Sequence, residues 1–132
     1  MADRLFVYGT LLAPELRRAL IGRNPETTTA TLAGYACFRV RRAPYPAVVA
    51  QPGASTGGEV LLGLTSTELD QLDEFESTLY QRMVTTVLTE DGLPLEAFAY
   101  VIDDGARQRL TDEAWDYELF RSKHLHRYLG AM

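Results

Sequence analysis

The apolar residues of this chain fall into two kinds of run. Between Thr65 and Leu79 they recur at Leu69, Leu72, Phe75 and Leu79, the spacing of one helix face. Thr65 stands where an N-cap belongs and Glu68 follows three residues on, so a capping box is expected. Elsewhere the pattern favours strands. Phe6, Val7 and Tyr8 are strong strand formers, in a strand expected from Arg4 to Tyr8 and interrupted by Gly9. Thr27 to Phe38 reads as a long or bent strand, with Gly34 as its bulge or bend. Ala47 to Ala50 reads as a strand, Gln51 to Ser55 as a loop, and Gly57 to Leu64 as a further strand-like run. Tyr80 to Thr89 and Leu93 to Ile102 flank Asp91-Gly92, a tight-turn pair, and so predict a hairpin.

The remaining segments are shorter. Pro14 suits the first position of a short helix, with Leu16, Ala19 and Leu20 on its apolar face and Gly22 as its stop. Pro44 and Pro46 exclude a central strand around Tyr45. Asp103-Asp104-Gly105 reads as a turn, and Thr111 to Leu129 as one helix or two short ones packed on the sheet. A strand-rich middle with few helices predicts an α+β fold, a strongly curved or barrel-like sheet with helices at its ends.

At 132 residues the chain reads as a single domain, residues 1–132, with enough length for one core. A net charge of −5 argues against non-specific nucleic-acid binding, which needs a basic face. Arg39, Arg41 and Arg42 are the only dense basic patch, and Arg39 and Arg41 would share the solvated face of a strand. Cys37 is the only cysteine, and its apolar neighbours read it as a small packed residue rather than a nucleophile. The N-terminus leads directly into a strand, so no secretory signal is expected, and no apolar run reaches bilayer-spanning length. A soluble, cytoplasmic protein without metal or cofactor is the expectation.

Two features point to chemistry. A strand that breaks at Gly9 frees backbone N–H groups, which can form an anion-binding concavity. Tyr8, Gly9, Thr10 and Leu11 are therefore either a strand that stops at a glycine or the floor of a small-molecule site. Glu76 is the second feature. It follows Leu69 by two helical turns and points between Leu69 and Leu72, which puts a carboxylate on the buried stripe, with Asp73 at the edge of that face. Burial would raise its pKa toward the range a general base needs. The residues leave two other readings of Glu76 open: the helix frays and Glu76 meets water, or Tyr80 or Arg82 gives it a structural hydrogen bond. Tyr8, Tyr45, Tyr80 and Tyr100 bear on the chemistry only if they converge on Glu76.

Taken together these segments resemble the γ-glutamylcyclotransferase-like superfamily, particularly its γ-glutamylamine cyclotransferase and AIG2-like branch. Tyr8-Gly9-Thr10-Leu11 looks like the family's first signature. Leu72-Asp73-Glu74-Phe75-Glu76, followed by Tyr80-Gln81-Arg82, looks like its second. Tyr45-Pro46-Ala47-Val48-Val49, Ala99-Tyr100-Val101 and the Trp115 to Leu129 tail are similar to its remaining segments, in the same order. The resemblance implies a small mixed β-barrel flanked by helices, and cleavage of a γ-glutamyl amide to 5-oxoproline and a free amine without metal or cofactor. It assigns acid/base work to Glu76 and substrate binding to Tyr8, Gly9, Thr10 and Leu11, with Tyr45, Tyr80 and Tyr100 around them. A small-molecule γ-glutamyl amide would be the partner, with no nucleic acid and no membrane. A non-catalytic binding module of the same fold and a γ-glutamyl amide hydrolase are the alternatives. Ser77 stands where the family usually has glycine.

Overall fold

The structure is a computed structural model and describes residues 3–130. Five strands close into a mixed barrel: β1 (Leu5–Val7), β2 (Thr27–Arg39), β3 (Pro46–Leu61), β4 (Tyr80–Thr89) and β5 (Pro94–Ile102), in the order β1-β3-β2-β4-β5. β1 lies between β3, its antiparallel partner, and β5, its parallel partner. Among the described residues the helices are α1 (Pro14–Ile21), α2 (Ser66–Glu76), α3 (Tyr117–Lys123) and α4 (Leu125–Gly130). Single 3-10 turns follow β1 (Thr10–Leu12) and β5 (Asp104–Arg109). This is the expected α+β barrel flanked by helices. Among the described residues no helix is long and apolar enough to cross a membrane.

The unbroken apolar run of β1 has a simple cause. Successive side chains of a strand point to opposite faces, and both faces of β1 are covered. Phe6 and Tyr8 enter the barrel interior with Leu32, Val48, Val60 and Val87. Leu5 and Val7 face outward onto Leu69 and Leu72 of α2. β1 also approaches β3 closely: a Cβ on Gly58 would sit 2.2 Å from the Val7 carbonyl oxygen. Gly58 is thus a packing requirement that composition alone does not reveal.

β3 departs from the expected pattern. Gln51 to Ser55 is not a loop between two strands but part of one continuous strand that ends at Leu61. Antiparallel pairing with β2 runs from Thr27↔Leu61 to Ala33↔Ser55, shifts, and resumes at Tyr35↔Ala50. The extra β3 residues bulge opposite Gly34, which has φ +83°. Pro52 has no N–H to donate and is tolerated because it lies in this bulge. Composition reads the segment as a loop; its partner across the barrel holds it as a strand.

Smaller differences have similar local causes. β1 is shorter than expected, and Tyr8 lies just beyond it. β2 ends at Arg39, which pairs with Glu113 rather than facing solvent, and Arg41 and Arg42 fall in the following turn. Asp103 does not sit in a simple turn; its side chain caps the 3-10 turn from Asp104 to Arg109. The tail is helical only from Tyr117. Trp115 precedes α3, where its ring packs near Phe120 and its indole N–H donates to Pro44 O at 2.8 Å. In α1 the buried positions are Leu16 and Arg17, while Ala19 is exposed. A paired Arg121–Glu15 contact ties α3 back to α1. Cys37 is partly buried and its thiol is pushed up to about 12 by desolvation, consistent with a packed residue.

Candidate active site

α2 positions the carboxylate. Its N-terminus is fixed as expected: Thr65 Oγ1 accepts from Glu68 N at 3.1 Å, and Glu68 Oε1 accepts from Thr65 N at 3.0 Å. Leu69 and Leu72 anchor the helix on the barrel wall. Glu76, its last residue, follows on the same stripe and reaches a cleft at one end of the barrel. Glu76 is half-buried, so the cleft can still reach it. Its carboxyl is pushed up to about 8, first by desolvation and then by the nearby charge of Asp73.

Neither structural partner considered for Glu76 is engaged with it. The Tyr80 hydroxyl donates to Pro46 O at 2.6 Å, and Arg82 pairs with Asp73 at 3.4 Å. The helix does not fray before residue 76 either. It ends there because Ser77 adopts φ 70° and ψ −172°, a region that is essentially glycine-only. Where the resemblance leads one to expect glycine, the chain has a serine in an extended positive-φ conformation, not a left-handed helical one.

The other wall is backbone. After Gly9 the chain makes the 3-10 turn Thr10–Leu12. The turn's own bonds are donated by Leu12 N to Gly9 O and by Ala13 N to Thr10 O. The N–H groups of Thr10 and Leu11, at the start of the turn, have no partner within it. Gly9 is required here by space and not by backbone handedness. Its φ is −120°, but a Cβ would lie 3.1 Å from the Pro46 ring.

Arg17 holds this turn from behind. It is only 4% exposed. Its guanidinium donates to Leu11 O at 3.0 Å and Leu12 O at 3.5 Å, and also bonds Asn24 and Glu59. With the carbonyls taken up by Arg17, Thr10 and Leu11 present themselves to the cleft. Sequence reasoning missed Arg17. The signal was the one that found Glu76: Ala13, Leu16, Arg17 and Leu20 share one helical stripe, so Arg17 is a charge on a buried face.

The cleft has two chambers. The narrow inner one, with room for little more than a water molecule, is lined by all eight residues singled out from sequence: Tyr8, Gly9, Thr10, Leu11, Tyr45, Glu76, Tyr80 and Tyr100. The outer one is wider, shares Thr10, Tyr45, Glu76 and Tyr80 and adds Phe75, Ser77 and Tyr128. Glu76 therefore stands where the chambers meet. Tyr128 comes from α4, where its ring meets Phe75 edge-on, and nothing in the sequence assigned it to the site.

Most of the tyrosine hydroxyls are already committed. Tyr8 donates to Tyr100 O at 2.5 Å and accepts from Val48 N at 3.3 Å. Tyr100 donates to Asp73 Oδ1 at 2.7 Å. Burial raises the pKa of Tyr8, Tyr80 and Tyr100 above the ordinary phenol value, so these groups stay uncharged near neutrality. A ligand would meet ring faces and edges, the backbone of the turn at Thr10 and Leu11, and one carboxyl group. That set can bind an anionic or carbonyl oxygen at Thr10 and Leu11 and move a proton at Glu76.

Comparison with known proteins bears on the family and the fold. Residues 5–117 match the family model described as gamma-glutamyl cyclotransferase, AIG2-like. The chain is 33% identical over 129 residues to AIG2-like protein D of Arabidopsis thaliana, covering 95% of this chain and 83% of that protein. A solution structure of an Arabidopsis thaliana protein superimposes with a TM-score of 0.77 at 29% identity, covering 98% of this chain and 87% of that one. A structure titled gamma-glutamyl cyclotransferase superimposes with a TM-score of 0.68 at 18% identity, covering 78% of this chain and 68% of that one, a likeness of fold.

Proposed function

Because the chain belongs to the AIG2-like gamma-glutamyl cyclotransferase family, we propose that it releases 5-oxoproline and a free amine from a γ-glutamyl amide, with Glu76 moving the protons. One observation carries this reading: the desolvated Glu76 carboxyl lines the same cleft as Thr10 and Leu11, whose N–H groups have no partner within their turn. The substrate's α-amine attacks its own γ-carbonyl. A C–N bond forms in a five-membered ring, and the bond to the departing amine breaks. The reaction is intramolecular, so the protein has to fold the substrate and transfer protons. Glu76, as carboxylate, takes the proton lost by the α-ammonium and returns one to the departing amine. Its raised pKa brings it near the working pH, where a general base is most effective. The γ-glutamyl head would sit where the two chambers meet, beside Glu76, with its α-carboxylate or γ-carbonyl on the Thr10 and Leu11 N–H groups. The departing amine lies in the outer chamber, against Phe75 and Tyr128.

Mass spectrometry of products from a panel of γ-glutamyl amides tests the reading directly. 5-Oxoproline is the expected product; glutamate would indicate a hydrolase, and no turnover with measurable binding would indicate a binding module. Glu76→Gln should lower 5-oxoproline release by at least about a hundredfold, in line with the usual worth of general acid–base catalysis, and should keep the fold. Normal turnover by that variant would remove Glu76 from the mechanism. Gly9→Val should lose most activity because its side chain meets the Pro46 ring. Thr10→Val keeps the N–H and should lose much less; equal losses would count against a backbone cradle.

A further inference from the structure

α2 carries a second carboxylate just before Glu76. Asp73 precedes Glu76 by three positions, which makes the two side chains neighbours on the helix surface, about 5–6 Å apart at Cβ. Asp73 is held from two strands of the barrel. The Tyr100 hydroxyl of β5 donates to its Oδ1 at 2.7 Å, and Arg82 Nη2 of β4 lies 3.4 Å from its Oδ2. Arg82 is itself fixed, with its guanidinium 4.5 Å from the centroid of the Phe98 ring. Its Nη1 is buried without a hydrogen-bond partner among the described residues. A partly exposed guanidinium with one buried, unused donor, beside a partly exposed carboxylate, contributes little as a packing contact. It does place a fixed positive charge behind a fixed negative one.

We propose that Asp73 and Arg82 are positioning residues for Glu76: together they set how readily Glu76 carries a negative charge. This rests on reading Glu76 as the proton-transfer group. The groups that face Glu76 from the surrounding elements are Tyr8, Tyr45, Tyr80, Tyr100 and Tyr128, all phenols, and Asp73 on its own helix. Among the described residues no Lys, Arg or His lines either chamber. Asp73 is thus the one neighbouring anion, and Arg82, 3.4 Å from it on the far side, is the cation placed to offset that charge. Desolvation by the barrel end is common to every variant that folds. The Asp73–Arg82 pair is the part that single substitutions can alter, and its two halves act with opposite sign.

The test uses that opposition. The carboxyl titration of Glu76 is followed by carbon NMR on protein labelled at glutamate Cδ and assigned with Glu76→Gln. In parallel, kcat/KM for 5-oxoproline release is measured against pH. Asp73→Asn removes the neighbouring anion and should move the Glu76 midpoint, and the acid limb of activity, to lower pH by about one unit. Arg82→Gln leaves Asp73 uncompensated and should move both to higher pH. Asp73→Glu should restore the wild-type midpoint. If Asp73→Asn does not fold, Tyr100→Phe removes only the donor to Asp73 and should raise the midpoint as Arg82→Gln does. Unchanged midpoints, or shifts of the same sign from Asp73→Asn and Arg82→Gln, would overturn the proposal. Because the NMR titration needs no substrate, opposite shifts without any 5-oxoproline release would refute the proposed reaction while leaving the charge coupling intact.

Discussion

The two ends of α2 carry glutamates in opposite electrostatic states. Glu68, in the first turn, has its carboxyl held down to about 2, chiefly by its hydrogen bonds with Arg23. Glu76, at the last position, is pushed up to about 8. The N-terminal end obeys the rules of helix construction: a capping box, an acid on the positive side of the helix dipole and a charge-paired partner. The C-terminal end breaks them, with an acid where the dipole is negative, no basic residue in the last turn and a serine in a glycine conformation. The same eleven residues thus hold one end for stability and spend stability at the other. Local rule-breaking coincides with the cleft, as expected where a site and not packing dictates the residues.

The largest expected effect is on stability against pH. Glu76 has a folded pKa of about 8 against an ordinary 4.5, so between those values the folded protein binds a proton that the unfolded chain lacks. Its contribution is full below about pH 4.5 and is lost as pH rises through about 8, a change on the order of a few kcal/mol. Urea midpoints should therefore fall for the wild type between pH 5 and 9 and fall much less for Glu76→Gln. Parallel curves would mean that Glu76 is not desolvated, and the contrast between the helix ends would disappear.

Ser77→Gly should relieve backbone strain and stabilise the protein by about 1 kcal/mol net, measured as a higher thermal midpoint. A lower midpoint would place the strain elsewhere. Thr65→Ala should cost about 1 kcal/mol through the lost cap while leaving turnover per folded molecule unchanged. A large loss of turnover would show that the two ends are mechanically linked. Glu68→Gln is the smallest change. The Glu68 contribution is present above its ordinary pKa and is lost as pH falls toward about 2, but Arg23 is 45% exposed and solvent screens the pair. A loss of less than about 1 kcal/mol at neutral pH is expected.

These same contrasts show what could be read from the sequence. The start of α2, its capping box and Glu76 were legible because each depends on residues within a few positions, whereas the helix stops at Glu76, short of the expected Leu79. The β4–β5 hairpin was legible from Asp91-Gly92, and Gly92 has the positive φ that such a turn uses. Arg17 gave the same stripe signal as Glu76, but α1 is short and a surface arginine is the ordinary expectation. Asp73 was visible only as a residue at the edge of the apolar face. Its link to Tyr100 and Arg82 depends on how β4 and β5 lie against α2. Gln51 to Ser55 was misread because the partner that keeps it a strand lies across the barrel. Tyr128 could not be assigned because its place in the site is set by α4 docking beside Phe75. Long-range placement, not local propensity, accounts for these gaps.

The three-residue β1 has a consequence for how the chain acquires its shape. Its partners are Leu61, Val60 and Glu59 in β3 and Phe98 and Ala99 in β5, all far along the chain. Bringing such distant segments together costs loop-closure entropy before any contact repays it, and folds built on such pairings form slowly. During synthesis, Leu5 to Val7 leave the ribosome before the other four strands, yet β1 can take its place between β3 and β5 only after Ala99 has emerged. A refolding experiment should accordingly find the β2–β3 and β4–β5 hairpins protected from hydrogen exchange before β1. The strand made first would be the last one locked.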